Sequence, residues 1–393
     1  MIPIKEVSLM DWQKSFRAQC PVFDVRTYME SAFHNGGCRA AKAGMDRYFE
    51  TAFSGALDGK RQWNETAEAT RVMANALIGG VSPRNIAFTK NTVEGLNRIA
   101  QAFPWQPGDN IILNDQEHTS NLMPWLALKA GGVEIRMVCA EGYALPVEKF
   151  VEQIDDHTRM IAVSHVQAST GYTVDLAALG RLCRERGIFL VVDAIQSLGI
   201  LPFHAEAWGI DAVAAGGHKG LLAVPGIGIL YTSPALLEKL NPTHVGSSAA
   251  WTIDRDRWEN LCTDPLDARK LEQSNLNYPG IYALHGGLSL LEEVGIDRIH
   301  THIAALADKL YHGLKAIGYM LVTPEDPARR AGILSISVPD PDHMKAWMAE
   351  QSIAVSRMDA GFVRFSLGAA SNAQDVDRAL AAAKMYFDAF LKL

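Results

Sequence analysis

Residues 160–193 read "MIAVSHVQASTGYTVDLAALGRLCRERGIFLVVD", and the fold is decided here. The two ends, "MIAVSH" and "IFLVVD", are β-rich runs that are apolar almost throughout. Between them "DLAALGRLCRERG" sets Leu176, Leu179, Leu182 and Cys183 on one helical face. It stops at Gly187, a residue suited to a helix C-terminus. Strands apolar on both faces are expected where helices cover both sides of a mostly parallel sheet.

The same texture runs outward from about residue 85 to 231. "NIAFT" from 85, "NIILN" from 110, "VEIRMV" from 133, "AVAA" from 212 and "GIGILY" from 226 add candidate strands, giving a seven-stranded α/β sheet. After residue 281 a long helical pattern begins, "IYALHGGLSLLEEVGIDRIHTHIAALADKLYHGLKAIG". "AGILSISV", a helix capped near Asp342, "GFVRFSL" and a final helix from about Ser371 follow, the last with Gln374 completing a capping box. The expected organisation is an N-terminal segment, 1–30, joining the small domain and the site rim. A large α/β domain, 31–285, and a smaller α+β domain, 286–393, complete it.

A chain of 393 residues is long enough for that division, and 48% hydrophobic with 21% charged residues is ordinary globular composition. The net charge of -7, from 37 basic and 44 acidic side chains, gives no footprint for nucleic acid or an anionic membrane. No apolar run has the length of a membrane span, and "MIPIKEVSLMDWQKSF" lacks the apolar middle of a signal peptide, so a cytoplasmic location is expected. Cys20, Cys38, Cys139, Cys183 and Cys262 are scattered, without a C-x-x-C pair. Reduced thiols and no metal site are expected.

Sheets of this kind bind ligands beyond the carboxyl ends of their strands. Asp193 ends the "IFLVVD" strand, where a carboxylate needs a cationic partner or hydrogen-bond donors; it reads equally as a helix cap. Gln196 adds an amide on the same turn. Lys219, in "GGHKG", is by type a surface residue, but its apolar, glycine-rich setting suits a Schiff-base amine of lowered pKa. In "FTKNTVEGLN" a strand meets a helix start, so the amides near Asn91, Thr92 and Val93 can face an anion, or Asn91 and Thr92 can simply cap. His118, in "DQEHTSNLMPW", either faces a planar ring or proton path, or is satisfied by backbone. A phosphorylated pyridine aldehyde would use all of these together, and that ligand is pyridoxal 5′-phosphate.

With these residues in place, the chain resembles the class V aminotransferases of pyridoxal-phosphate fold type I, which include cysteine desulfurases, selenocysteine lyases, C–S lyases and isopenicillin N epimerase-like proteins. "YMESA" from 28, "EHTSNLMPW", "VVDAIQ", "GGHKG", "PGIGILY", "LEQSNLN" and "VRFS" carry the resemblance in the family's order. It implies that Lys219 binds the cofactor and moves the α-proton of an external aldimine. Asp193 is implied to pair with the pyridine nitrogen, Gln196 to donate to the phenolic oxygen and His118 to stack on the ring. Asn91, Thr92, Val93 and His218 fall where the family holds the phosphate, and Ser274 and Asn275 where a homodimer reaches the neighbouring subunit's phosphate. Arg364 matches the arginine for the substrate's α-carboxylate, with Ala32 and His34 at the substrate-facing rim.

Departures shape the expected reaction. Desulfurases of the family carry a cysteine on a loop between the strands matching "IAVS" and "VRFS"; here a few residues join them, and no cysteine follows Ser352. Ala168 stands in place of an asparagine, so carboxylate recognition is expected to shift to Ser169 or Gln167. Gly216 stands in place of a phosphate-binding serine, and Asn275 of a threonine. The leading expectation is β-elimination from a cysteine-like amino acid, as in a C–S lyase. Transamination and epimerisation are the alternatives, and a binding protein without turnover is the other class. Residues 244–258 are expected to form a cover or a dimer contact.

Overall fold

The computed structural model describes residues 11–248 and 250–392. Strands are numbered in chain order. β1 (Thr27–Tyr28) belongs to the N-terminal segment. β2 (Ile86–Thr89), β3 (Asn110–Asn114), β4 (Glu134–Val138), β5 (Thr158–Ser164), β6 (Phe189–Asp193), β7 (Ala212–Gly216) and β8 (Gly228–Thr232) form the main sheet. Their order is β2-β8-β7-β6-β5-β3-β4, and β8 alone in the sheet runs against the rest. β2, β3, β7 and β8 are buried along their whole length, which is why the sequence shows no alternation there. The edge strand β4 is largely open on one side.

The Leu176–Arg186 helix joins β5 to β6 as expected, burying Leu176, Leu179 and Cys183, with Gly187 left-handed at its end. Leu182 is only partly buried. The crossover sets Ser164 of β5 directly beside Asp193 of β6, so the two carboxyl ends are level.

The Arg39–Ile78 helix, 40 residues long, went unread in the sequence. It lies against the Tyr278–Val294 helix so closely that a Cβ on Gly44 would sit 2.1 Å from the Tyr282 carbonyl oxygen. The helix is anchored by Arg71, whose Nη2 donates to both oxygens of Glu272 at 2.8 and 3.0 Å. Arg71 also donates to the Ile86 carbonyl and lies over the Phe88 ring at 4.3 Å, while Phe88 N donates to Glu272 at 2.7 Å. Both ion-pair partners are at least 96% buried, with side-chain exposures of 1% and 4%. Arg71→Ala leaves Glu272 charged without its partner, and is expected to cost about 3–5 kcal/mol. Urea unfolding measures this; a loss below about 1 kcal/mol, the range of a surface pair, would contradict the assignment.

β9 (Trp251–Asp254) lies in the 244–258 stretch expected to be a cover or dimer contact and pairs with β10 (Glu259–Cys262), just beyond it, as an antiparallel hairpin; Ala249 of that stretch lies outside the described residues. Ile253, Trp258 and Leu261 are exposed on it.

In the smaller domain β11 (Met320–Leu321), β12 (Ile333–Ser337), β13 (Ile353–Ala354), β14 (Ser356–Met358) and β15 (Phe362–Ser366) follow. The sheet order is β11-β12-β15-β14, all antiparallel. Two expected caps shift. Asp340, not Asp342, caps the Pro341–Glu350 helix, because Pro341 takes the first helical position, where its missing N–H is no loss. Asn372, not Ser371, caps the Ala373–Tyr386 helix, and Asp375, not Gln374, closes the box, since three residues separate a cap from its partner.

The described part of the N-terminal segment is tied to this domain. β1 pairs in parallel with β13, and Arg17 meets Asp375 at 2.6 Å. Residues 1–10 of the expected segment lie outside the described residues. No described helix is long and apolar enough to cross a membrane.

Candidate active site

Asp193 ends β6 and is buried; its Oδ1 accepts one hydrogen bond, from Ile195 N at 3.0 Å. Burial raises its pKa, with the negative charge of Glu117 adding to the rise and Lys219 opposing it. Lys219 follows β7 in a tight loop closed by Gly217 N to Ile227 O and Ala223 N to Gly217 O, each 2.8 Å. Burial pushes its amine below the ordinary lysine range; Asp193 works against that fall and Arg364 with it. A buried carboxylate and a buried amine thus face each other across adjacent strand ends.

Thr92 begins the Thr92–Ala102 helix, and its Oγ1 accepts from Gly216 N at 3.0 Å, tying the helix start to the end of β7. Asn91 is the N-cap: its Oδ1 accepts from Glu94 N at 2.9 Å, so its side chain serves the helix. The Thr92 and Val93 amides, at the first two helical positions, have no partner within a helix and are available to an anion. His218 stands beside them, its imidazole pushed down to about 4 by burial and by Lys219, and therefore neutral. A Cβ on Gly216 would lie 3.2 Å from two atoms of the His218 ring. Glycine rather than serine there leaves the imidazole its position.

Arg364 lies in β15 between Ser335 and Ser356 on the flanking strands. Its Nη1 donates to Ala168 O at 2.7 Å and its Nη2 to Ser356 Oγ at 3.4 Å. Its Nε is buried with no partner among the described residues. A guanidinium held on one side with an unmatched N–H is suited to a carboxylate. The expected shift of carboxylate recognition to Gln167 does not hold: its Nε2 donates to Glu117 at 3.2 Å and to Ser164 O at 3.3 Å. Ser169 gives its carbonyl to Ser335 Oγ at 2.6 Å, which fixes the loop beneath Arg364.

His118 caps the turn after β3, its Nδ1 meeting Ser120 N at 3.1 Å and Ser120 Oγ at 2.9 Å. Its pKa is lowered by burial and then by the charges of Lys219 and Arg364, so both cations act on it. One edge of this histidine is thus satisfied locally, and the other edge has no partner among the described residues.

The N-terminal segment closes the site. Gln196 Nε2 donates to Ala32 O at 3.0 Å, and Ala32 N donates to Ser366 Oγ at 2.9 Å. The second N–H of the Gln196 amide remains for a ligand. His34 lies 6.1 Å, ring to ring, from His218. Asn35, read from the sequence only as a neighbour of His34, brackets the lysine loop: its N donates to His218 O at 3.0 Å and its Nδ2 to Ala223 O at 2.8 Å. Ser274 and Asn275 are not brought to Lys219. They are exposed on a separate cleft with Lys60, Asn64 and Arg269, Asn275 in the left-handed region at φ +55°.

These residues fit pyridoxal phosphate. The buried carboxylate of Asp193 has one backbone donor and lacks a bonded cation, the need a protonated pyridine nitrogen meets. The lowered amine of Lys219 suits an aldehyde, and the helix amides with Thr92 suit a phosphate. No group of three or more His, Cys, Asp or Glu residues fit to hold a metal occurs among the described residues.

Comparison with known proteins gives the same direction. The Aminotransferase class-V family model matches residues 39–379. An uncharacterized aminotransferase of Schizosaccharomyces pombe is 29% identical over 328 residues, 81% of each chain. A probable cysteine desulfurase of Methanothermobacter thermautotrophicus is 29% identical over 335 residues, 83% of this chain and 81% of that one. Among solved structures, the apo cysteine desulfurase of Thermococcus onnurineus superposes with a TM-score of 0.88 at 23% identity, over 95% of this chain and 98% of that one. The cystine C–S lyase C-DES, in complex with its product cysteine persulfide, gives 0.86 at 22% identity, over 93% and 99%.

Proposed function

This chain belongs to the class-V aminotransferase family and is a pyridoxal-phosphate-dependent enzyme of fold type I, and on that premise we propose that it eliminates a β-substituent, sulfur by preference, from a cysteine-like amino acid. The observation that carries the reading is the β14–β15 turn. Only Asp359, Ala360 and Gly361 join the two strands beside Arg364, and they include no thiol to accept sulfur. Cys20 does line the cavity next to Lys219, but its free thiol is buried beside the Cys38 thiol, and both that neighbour and burial hold it protonated. Sulfur removed from a substrate then has no loop cysteine to receive it and leaves in solution.

Bound pyridoxal phosphate supplies an electron sink that acidifies the α-proton of an amino acid joined to it. The chain's own residues do the rest. Arg364 pairs through its guanidinium with the α-carboxylate and turns the α-carbon toward Lys219. The Lys219 amine, neutral over a wider pH range because of burial, takes the α-proton. Asp193 stabilises positive charge at the ring nitrogen. Thr92, the helix amides and His218 hold the phosphate, and His118 covers the ring.

A homodimer is part of the same reading: the exposed Ser274 and Asn275, beside Lys60 and Arg269, offer donors to a phosphate held by a second copy. The test is a panel of amino acids, including cysteine, cystine and S-substituted cysteines, followed for product. Pyruvate with sulfide, thiol or persulfide is the expected result. A keto acid that forms only with an amino acceptor would replace the proposal with transamination, and α-deuterium exchange with inversion and no net consumption would replace it with epimerisation.

A further inference from the structure

Glu117 precedes His118 and is fully enclosed, yet none of the steps above uses it. Its Oε1 accepts from Asn114 Nδ2 at 2.6 Å, Ser164 N at 2.6 Å and Gln167 Nε2 at 3.2 Å. Its Oε2 accepts from Asn121 Nδ2 at 3.0 Å and Ser164 Oγ at 2.5 Å. The direction of these bonds is fixed by what lies behind them. Asn114 Oδ1 accepts from Gln116 N at 3.0 Å and Asn121 Oδ1 from Trp125 Nε1 at 3.0 Å, so both amides must turn their NH2 groups to Glu117. The Ser164 amide can only donate. Of the five donors only the Ser164 hydroxyl could turn round to accept a carboxyl proton; the other four favour the anion, against burial, which is the largest influence on the group and leaves its pKa raised.

The position of that anion matters. Ser164, which donates to it twice, is the register partner of Asp193 on the next strand. Neighbouring strands lie about 4.8 Å apart. The loop after β3, carrying His118, is thereby clamped to the end of β5, one strand from the carboxylate that faces the cofactor's ring. We propose that Glu117 is a positioning residue of the cofactor site, whose fixed carboxylate anchors the His118 loop to β5 and stands as a second negative charge behind Asp193.

The groups facing Lys219 are Asp193 on β6, Arg364 on β15, His118 on the loop after β3 and His218 beside it, with His34 beyond. Among them Arg364 is a fixed cation with Glu30 as the acid acting on it, and Glu117 adds its negative charge beside that of Asp193. Removing the Glu117 charge makes every cation in the site less stable, so the Schiff base joining Lys219 to the cofactor should lose its proton at lower pH.

The test is a pH titration of the cofactor's absorbance in Glu117→Gln and Ser164→Ala holoenzymes, with melting of the apoproteins alongside. Glu117→Gln should lower the Schiff-base pKa by about one unit, about tenfold in proton affinity. Ser164→Ala, which removes one donor and keeps the charge, should move it by less than about 0.3 unit while lowering the melting temperature. Equal losses of melting temperature with both titrations unmoved would overturn the proposal and leave Glu117 a packing residue. Should Glu117→Gln not fold, infrared spectra of 13C-glutamate-labelled wild type decide: a buried protonated glutamate at about neutral pH overturns it, and a carboxylate supports it. The proposal rests on the cofactor assignment, which fails separately if the wild type forms no absorbance band.

Discussion

Lys219→Ala is expected to abolish turnover, lowering kcat by at least about 1000-fold, the scale of a lost general base, and to remove the absorbance band of the covalently held cofactor. The two losses share one cause: the same amine bonds the aldehyde and moves the α-proton. Binding does not vanish with them, because Asp193, Thr92, His218 and the helix amides remain. The variant should therefore retain pyridoxal phosphate non-covalently, as equilibrium dialysis would show. A second readout uses the depressed amine of the wild type. Capture of the cofactor by the apoprotein requires a neutral amine, so its rate should rise with pH and level off below the ordinary lysine pKa of about 10.4. A rate still climbing through that value would mean a solvated lysine and a different anchor.

Asp193→Asn should lower kcat/KM by at least about 100-fold, the scale of removing one preorganised electrostatic partner, while the cofactor stays bound. An amide cannot stabilise positive charge at a ring nitrogen, so the electron sink weakens although the shape is kept. The same change should not destabilise the apoprotein. The folded-state pKa of Asp193 is raised by burial, so its contribution to stability is fully present below the unfolded value of about 3.9 and is lost as pH rises through the folded value. Asparagine has no such loss, and the apo variant should hold its melting temperature better than wild type from about pH 4 upward. Activity lost together with stability would point instead to a structural carboxylate. Unchanged activity would remove Asp193 from the site.

The prediction on Asp193 also marks how far the sequence could be read. A carboxylate ending an apolar strand, a lysine among glycines, a Thr at a strand-to-helix turn and an Arg in "VRFS" carry their chemistry in their settings. The structure lets Asp193, Arg364, His118 and His218 act on Lys219, ties Thr92 to the end of β7, and puts Gln196 in the cavity that Lys219 lines. What stayed hidden was of another kind. Glu117 lay in the quoted "DQEH" but passed as a neighbour of His118, because three of its five donors come from Ser164 and Gln167, 47 and 50 residues away. The sign that could have found it is a second carboxylate within three residues of a wholly buried strand, between two asparagines, Asn114 and Asn121. Arg71 and Glu272 were hidden for the same reason, being 201 residues apart. Gln167, expected at the substrate, turned to Glu117, a choice that only the approach of β3 to β5 makes possible.

By itself the sequence determined the strand and helix alternation, the mostly parallel sheet, the small domain and the residue types that pyridoxal phosphate requires. Those follow from periodicity, burial preference and short motifs, all of which are local along the chain. Tertiary structure alone decided which groups face one another: the crossover helix that levels Ser164 with Asp193, the β15 position that leaves one N–H of Arg364 without a partner, and the web of donors around Glu117. Hydrogen bonds and electrostatic fields act over a few ångströms in space, whatever the separation along the chain, so these pairings exist only once the sheet is assembled.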